Sequence, residues 1–131
     1  GPHVTADRFD DAPGPHTLMV MAVGDQVVPN STTAALARAW QIPPVRPTLV
    51  GLPFLPPAED APVQANQGAL TAGLFQYKEV SEQDVSGVVR RRDATHENVM
   101  LGRETILQVR RFHRDWVGGA APVIVNPADE L

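Results

Sequence analysis

Asp25 and His96 are the two residues whose types and positions point most directly to chemistry. Asp25 comes just after an apolar run, and His96 lies in a polar segment that precedes an amphipathic stretch. A histidine can accept and release a proton near neutral pH, and a neighbouring carboxylate fixes its tautomer and stabilises its cationic form. The pair is therefore a candidate general base with its acid partner. Because the two residues lie far apart in the sequence, only a fold can bring them together.

Each of these two residues also has a simpler interpretation. Aspartate is common in turns, where it accepts hydrogen bonds from nearby backbone amides, and a single histidine in a polar loop is usually an ordinary surface residue. The remaining histidines have plainer places: His3 is next to the N terminus, His16 opens an apolar run, and His113 lies in a helical pattern. The acid–base hypothesis thus depends on the elements that position Asp25 and His96.

Other site chemistries lack their sequence patterns. The four histidines show neither H-x-x-x-H nor H-x-H spacing and there are no cysteines, so we expect no metal site and no disulfide. Gly68 and Gly73 are too sparse for a phosphate-binding loop, and no cofactor is expected. A carboxylate pair of the glycosidase type stays open, because nothing singles out two particular carboxylates.

Composition limits the class of protein. The chain has 131 residues, of which 43% are hydrophobic, so it has the size of one domain and can bury a core. A net charge of −4 argues against nucleic acids and anionic membranes as partners. The short basic run at residues 90–92 is interpreted as a solvated loop. No apolar run approaches the roughly 18 residues of a transmembrane helix.

The chain divides into a leader and one segment. Residues 1–15 begin with Gly-Pro-His, which resembles the remnant of a protease cleavage site, and continue as a linker interrupted by prolines. Residues 16–131 are predicted to form a single α/β segment with an irregular, proline-rich insertion near residues 53–63. If the first residues are such a remnant, the chain is a piece of a longer protein.

The residues around Asp25 predict a strand, a turn and a helix. Residues 16–23 form a continuous, mainly apolar run, which is typical of a strand in a parallel sheet covered on both faces. A helix is predicted over residues 32–40, with Asn30 or Ser31 as its N-cap. Asp25 is then expected just beyond the C-terminal end of a strand, where ligands and catalytic groups gather in open α/β sheets.

The rest of the chain continues the alternation of strands and helices. The predicted elements are a short strand over residues 48–52, a strand nearer the sheet edge over 74–80, a polar loop over 81–95, a helix over 103–116 and a short strand over 123–125. In the last predicted helix the residues Ile106, Val109, Phe112 or His113, and Trp116 repeat every three to four positions, which is typical of an amphipathic helix. This order predicts the α/β class: a partial, open, mostly parallel sheet with flanking helices.

Two short motifs resemble those of the α/β-hydrolase family. Gly24-Asp25-Gln26-Val27-Val28-Pro29, after an apolar strand and before a helix, resembles the acid turn of that family. Thr95-His96-Glu97-Asn98, before the last helix, resembles its histidine loop. The order of acid before histidine also agrees with the family order of nucleophile, acid, histidine. The resemblance covers roughly residues 16–117 and implies the C-terminal part of an α/β-hydrolase fold.

A narrower resemblance concerns the end of the chain. Residues 70–77, His96 and residues 104–112 together resemble the end of large bacterial extracellular lipases and virulence-factor esterases. The resemblance implies a parent enzyme that hydrolyses ester or lipid substrates and lies outside the cell or in the cell envelope. It assigns His96 as the base that takes the proton of a serine hydroxyl, and Asp25 as the acid that orients it.

The chain departs from the family pattern at the nucleophile. There is no G-x-S-x-G motif, and Ser31, Ser81 and Ser86 do not lie in a predicted strand-to-helix elbow. No glycine cluster is placed to form an oxyanion hole. The expected partner is therefore the missing N-terminal half of the hydrolase, in the same parent chain or as a cleaved partner, and the chain alone is expected to be inactive.

A non-catalytic alternative stays open beside the hydrolase hypothesis. The same segment could be a binding or assembly module with a hydrolase-like fold. In either case residues 16–23 are expected to form a strand with one bare edge, which favours self-association or binding of the missing half.

Overall fold

A computed structural model describes residues 14–130, so most of the predicted leader lies outside the described residues. The elements follow one another along the chain as β1 (Thr17–Ala22), α1 (Asn30–Ala39), β2 (Pro44–Val45), β3 (Val63–Gln64), β4 (Ala72–Tyr77), β5 (Glu79–Gln83), β6 (Val89–Asp93), a 3-10 helix (Val99–Leu101), α2 (Arg103–Val117), β7 (Val123–Ile124) and a second 3-10 helix (Pro127–Asp129). The described part of the chain is thus a mixed arrangement of strands with two α-helices.

A small parallel sheet forms the centre of the fold. Its strand order is β1-β4-β2, and both outer strands run parallel to β4. Thr17 lies opposite Ala72 at one end of the β1–β4 pair, and Ala22 lies opposite Tyr77 at the other. The α/β class and the strand at residues 16–23 are therefore confirmed in this coarse sense.

Side chains from β4 enter the core on both faces of the sheet. Leu74 packs with Ala37 of α1, whereas Phe75 and Tyr77 belong to a second cluster that Phe112 of α2 contacts. Successive residues of a strand point to opposite faces, so a strand buried on both sides must be apolar nearly throughout. All six residues of β4 are buried.

The prediction that this strand lies near the sheet edge is wrong, because its polar residue is hydrogen-bonded in the interior. Gln76 is only 2% exposed. Its Oε1 accepts bonds of 2.8 Å from the amides of both Leu49 and Val50, and its Nε2 donates to the carbonyl of Val50 at 3.2 Å. The predicted strand over residues 48–52 is also wrong, since a side chain rather than a neighbouring strand takes these amides.

Residues 81–95 are not a polar loop, as predicted, but largely an antiparallel hairpin. Glu79 of β5 pairs with Asp93 of β6 at one end, and Gln83 pairs with Val89 at the other. The turn is stabilised by Asp84, whose Oδ1 accepts hydrogen bonds from the Ser86 amide and hydroxyl and from the Val88 amide. The basic run consequently lies on an exposed strand rather than in a loop.

Helix α2 buries polar residues as well as apolar ones. Of the apolar residues that repeat along this helix, Phe112 packs against the core, whereas Ile106 and Trp116 are exposed, at 38% and 59%. The buried residues of the helix are Glu104, Thr105 and Gln108. Gln108 donates to the Val125 carbonyl at 2.8 Å and accepts from the Tyr77 hydroxyl at 3.0 Å. Hydrogen bonds of this kind offset the cost of burying polar groups, and periodicity of apolar residues cannot show them.

The predicted cap of the first helix also needs correction. The first helix begins at Asn30 after Pro29, and neither Asn30 nor Ser31 caps it: the helix has no side-chain cap, and the Asn30 side chain donates instead to the Val23 carbonyl at 3.0 Å. The last short strand is confirmed as β7, which pairs in antiparallel fashion with β3 and not with the parallel sheet. The proline-rich insertion is irregular up to β3, which lies at its end.

Candidate acid–base site

The Asp25 carboxylate is held at the C-terminal end of β1 by the turn that follows the strand. The Asp25 amide donates to the Ala22 carbonyl at 3.1 Å. Its Oδ1 in turn accepts bonds of 2.8 Å from the amides of Val27 and Val28. Aspartate side chains commonly accept hydrogen bonds from the backbone amides that follow them in a tight turn. Here Oδ1 accepts both bonds, so Oδ2 is available for another partner.

His96 reaches the same end of the sheet from the hairpin. The chain leaves β6 at Asp93, and the amide of the buried Ala94 donates to the Lys78 carbonyl at 2.8 Å. The side chain of His96, which follows, is 46% exposed. The carboxyl ends of β1 and β4 also lie side by side here, since the Val23 amide donates to the Tyr77 carbonyl at 2.8 Å. Catalytic groups of open α/β sheets gather at this edge.

The structure brings the two predicted site residues together. Nδ1 of His96 lies 3.1 Å from Oδ2 of Asp25, although the residues are 71 positions apart. An ionised carboxylate can only accept hydrogen bonds, so the imidazole donates through Nδ1. In the neutral ring Nε2 is then the basic nitrogen, and no hydrogen bond to it is made within residues 14–130. The catalytic role of the pair stays a prediction.

The surroundings of Asp25 favour its ionised form. The hydrogen bond from the Val28 amide lowers the pKa of Asp25, and the Val27 amide and His96 act in the same direction, whereas burial opposes them. The net effect is a pKa below the usual value for aspartate. The lowered pKa keeps the carboxylate charged near neutral pH close to the imidazole, although its side chain is only 12% exposed. A fixed negative charge in that place stabilises an imidazolium cation.

The serines do not complete a triad among the described residues. The Ser81 hydroxyl donates to Glu104 Oε1 at 2.6 Å, and the Ser86 hydroxyl donates to Asp84 Oδ1 at the same distance. Ser31 is exposed in the first turn of α1. In the part of the chain that the structure describes, none of the three hydrogen-bonds to His96, so no nucleophile is paired with the base.

One buried carboxylate that supports the hairpin was not singled out by sequence reasoning. Glu104 is 7% exposed. Its two carboxylate oxygens accept bonds from the Ser81 amide at 2.8 Å, the Ser81 hydroxyl at 2.6 Å and the Arg91 guanidinium at 2.9 Å. Burial alone would raise the pKa of Glu104, but these bonds and the Arg91 charge outweigh it and lower the pKa. The carboxylate thus ties α2 to both strands of the hairpin that leads to His96.

No metal chemistry is indicated in the described region. Over residues 14–130 there is no group of three or more histidine, cysteine, aspartate or glutamate side chains that could hold a metal ion. Neither of its α-helices is long and apolar enough to cross a membrane.

Comparisons with known proteins give no relative from which a function carries over. The chain matches no family model, and it has no significant match among the curated proteins or the solved structures. Its function is consequently inferred from the chemistry of Asp25 and His96 and from their surroundings.

Proposed function

We propose that this chain supplies the acid and the base of a serine ester hydrolase of the lipase or esterase type. The observation that carries the proposal is the Nδ1–Oδ2 contact of 3.1 Å between His96 and Asp25. A general base needs one nitrogen held by a carboxylate and the other free to face a hydroxyl group. Since none of the serines in residues 14–130 bonds to His96, the nucleophile is assigned to a polypeptide segment outside these 131 residues.

The chemistry of the proposed reaction follows from the orientation of the imidazole. Nε2 of His96 takes the proton of the serine hydroxyl while the serine oxygen attacks the ester carbonyl. The imidazolium then gives this proton to the departing alcohol, and an acyl-enzyme remains. Water, deprotonated by the same Nε2, attacks the acyl group, and the serine oxygen leaves with the proton returned by His96. Asp25 stays ionised throughout and holds the Nδ1 proton.

The proposed function predicts that this chain alone does not hydrolyse esters. Its turnover of p-nitrophenyl butyrate is expected to equal that of buffer, because loss of the nucleophile typically costs about a million-fold in turnover. Turnover should appear when the chain is joined, as one polypeptide, to an upstream segment of its reading frame with a strand, a G-x-S-x-G turn and a helix. This combination is called the hydrolase assembly below.

The control for this experiment separates His96 from a surface histidine. His113 is exposed on α2 and serves as the matched variant, His113→Ala, against His96→Ala. Strong hydrolysis by the isolated chain that His96→Ala abolishes would contradict the proposal, because it would place a nucleophile within these 131 residues. An assembly that carries the serine turn and does not hydrolyse any ester would also contradict it.

A second candidate function is a non-catalytic assembly module, and the exposed apolar surface of the domain favours it. Leu18 and Val20 of β1 line a recess with Met100, Val109 and Phe112. Within residues 14–130, β1 pairs only with β4, so its outer edge offers backbone groups to another strand. A second copy of this chain fits that edge, because two β1 strands can pair around a two-fold axis.

The assembly candidate predicts reversible self-association of the isolated chain. Sedimentation velocity should show a dimer whose fraction rises with concentration. Met100→Glu, which places a charge in the recess, is expected to weaken the dimer by tenfold or more, because a charge is costly to bury in an apolar interface. Val85→Glu at the exposed tip of the hairpin is the matched control. A monomer at all concentrations, with the amides of residues 18–23 fully protected from exchange, would contradict this candidate.

A further inference from the structure

The loop that carries His96 is closed by a neighbouring side chain. Oδ1 of Asn98 accepts a hydrogen bond of 2.7 Å from the Thr95 amide, and the Asn98 amide donates to the Thr95 hydroxyl at 3.3 Å. The two residues therefore cap each other across His96, in the reciprocal manner of a capping box at the start of a helix. The 3-10 helix Val99–Leu101 follows at once.

The same asparagine also fixes this loop to the hairpin. Nδ2 of Asn98 donates to the Asp93 carbonyl at 2.9 Å, at the last residue of β6. The Ala94 amide is bound in turn to the Lys78 carbonyl, between β4 and β5. The Asn98 side chain thus ties the end of the loop to Asp93 and Thr95, the backbone that leads into His96. The imidazole itself is partly exposed, and Asp25 is the one side chain of residues 14–130 that hydrogen-bonds to it.

We infer that Asn98 is the positioning residue that sets the His96 imidazole against the Asp25 carboxylate. The effect of Asn98 on catalysis rests on the proposed function, whereas its effect on the position of the His96 ring does not. A histidine on a loop has two rotatable bonds, and an exposed ring has no packing to select one rotamer. Fixing the backbone before and after His96 restricts where Nδ1 can lie, and small displacements of a catalytic group can cost about a hundredfold in rate.

The tautomer of His96 gives a test on the isolated chain. Nitrogen-15 NMR of the neutral imidazole should show the proton on Nδ1 in the unmodified protein. Asn98→Ala is expected to move the ring toward a mixture in which Nε2 carries the proton in a substantial fraction, because the ring no longer faces Asp25 in one orientation. Asn98→Asp retains an acceptor for the Thr95 amide but loses the donor to Asp93, so an intermediate shift is expected.

The matched control is Asn126, whose side chain caps the second 3-10 helix. Asn126 Oδ1 accepts from the Ala128 amide at 3.1 Å at the start of the second 3-10 helix, and it makes no contact with His96. Asn126→Ala should leave the His96 tautomer unchanged. Amide spectra of β4 residues report whether each variant is folded. If Asn98→Ala does not fold, Asn98→Asp and Thr95→Val, which removes the hydroxyl acceptor, provide the same test.

The rate of ester hydrolysis by the hydrolase assembly, measured beside the tautomer, distinguishes a failure of this inference from a failure of the proposed function. Asn98→Ala is expected to lower kcat by about ten- to a hundredfold with little change in KM, because it disturbs a catalytic geometry and not substrate binding. An unchanged tautomer in folded Asn98 variants would overturn the inference, whatever the activity. A shifted tautomer in an assembly that hydrolyses no ester supports the positioning role of Asn98 and overturns the proposed function instead.

Discussion

Replacing His96 by alanine in the hydrolase assembly is expected to lower kcat for ester hydrolysis by about a million-fold. His96 is the only imidazole that the described residues bring to the Asp25 carboxylate, at 3.1 Å. Without it, no group is placed to take the serine proton or to protonate the leaving alcohol. The measurement is the single-turnover and steady-state rate with p-nitrophenyl esters, compared with His113→Ala.

The expected change falls on the chemical step. KM should stay within a few-fold, since His96 acts on the reacting atoms rather than on the rest of the substrate. The unfolding midpoint should also stay close to that of the unmodified protein, because the side chain is 46% exposed and fills no core position. A loss smaller than about tenfold in kcat, with the variant folded, would contradict the assignment of His96 as the base.

The second large effect is expected for Asp25→Asn, at about ten-thousandfold in kcat, the scale found where the carboxylate of a serine triad is made an amide. The amide has nearly the same shape and keeps an oxygen for the Val27 and Val28 amides, so the turn is expected to persist. Its nitrogen donates toward the ring, which drives the imidazole proton to Nε2. That tautomer cannot accept the serine proton, which explains the loss without any change of fold.

Asp84→Asn is a matched control for the same substitution. The Asp84 carboxylate also accepts hydrogen bonds in a tight turn, chiefly from the Ser86 hydroxyl, and these lower its pKa as the Val28 amide lowers that of Asp25. It has no histidine partner among its hydrogen bonds within the described residues. We expect Asp84→Asn to change hydrolysis by less than a few-fold, and an equal loss in both variants would contradict a specific role for Asp25.

The lowered pKa of Asp25 also makes one contribution to the pH dependence of the free energy of unfolding. Because its folded-state pKa is lowered, the ionised carboxylate stabilises the fold fully above the ordinary aspartate value of about 3.9. This contribution is lost as the pH falls through the lowered folded-state value. The difference in unfolding free energy between the unmodified protein and Asp25→Asn should therefore shrink in strong acid, as measured by denaturant unfolding across that range.

The sequence predicts best those elements that a single local pattern determines. The apolar run of β1 and the long helix α2 lie close to where periodicity and composition place them. The face that α2 buries could not be predicted, because Glu104 and Gln108 enter the core through hydrogen bonds to residues distant in sequence. Gln76 misleads in the same way: a polar residue in a strand indicates exposure unless its partners are known.

The candidate site divides along the same line. Asp25 and His96 could be predicted because the short motifs at residues 24–29 and 95–98 resemble the acid turn and the histidine loop of a known family. No sequence pattern indicates the roles of Asn98 and Glu104. Asn98 was visible only as part of the histidine loop, and its bond to Asp93 depends on a hairpin that the sequence analysis took for a loop. The strand–turn–strand pattern around Asp84 and Gly87 was the available signal for that hairpin.

The kcat of the double variant Asp25→Asn, His96→Ala in the hydrolase assembly shows whether Asp25 and His96 act together as one acid–base unit. If the two residues act as one acid–base unit, removing the carboxylate costs nothing further once the imidazole is gone, since its only catalytic effect is exerted through that ring. The double variant is expected to be as slow as His96→Ala alone, within a few-fold. Losses that multiply, so that the double variant is thousands of times slower than His96→Ala, would contradict it.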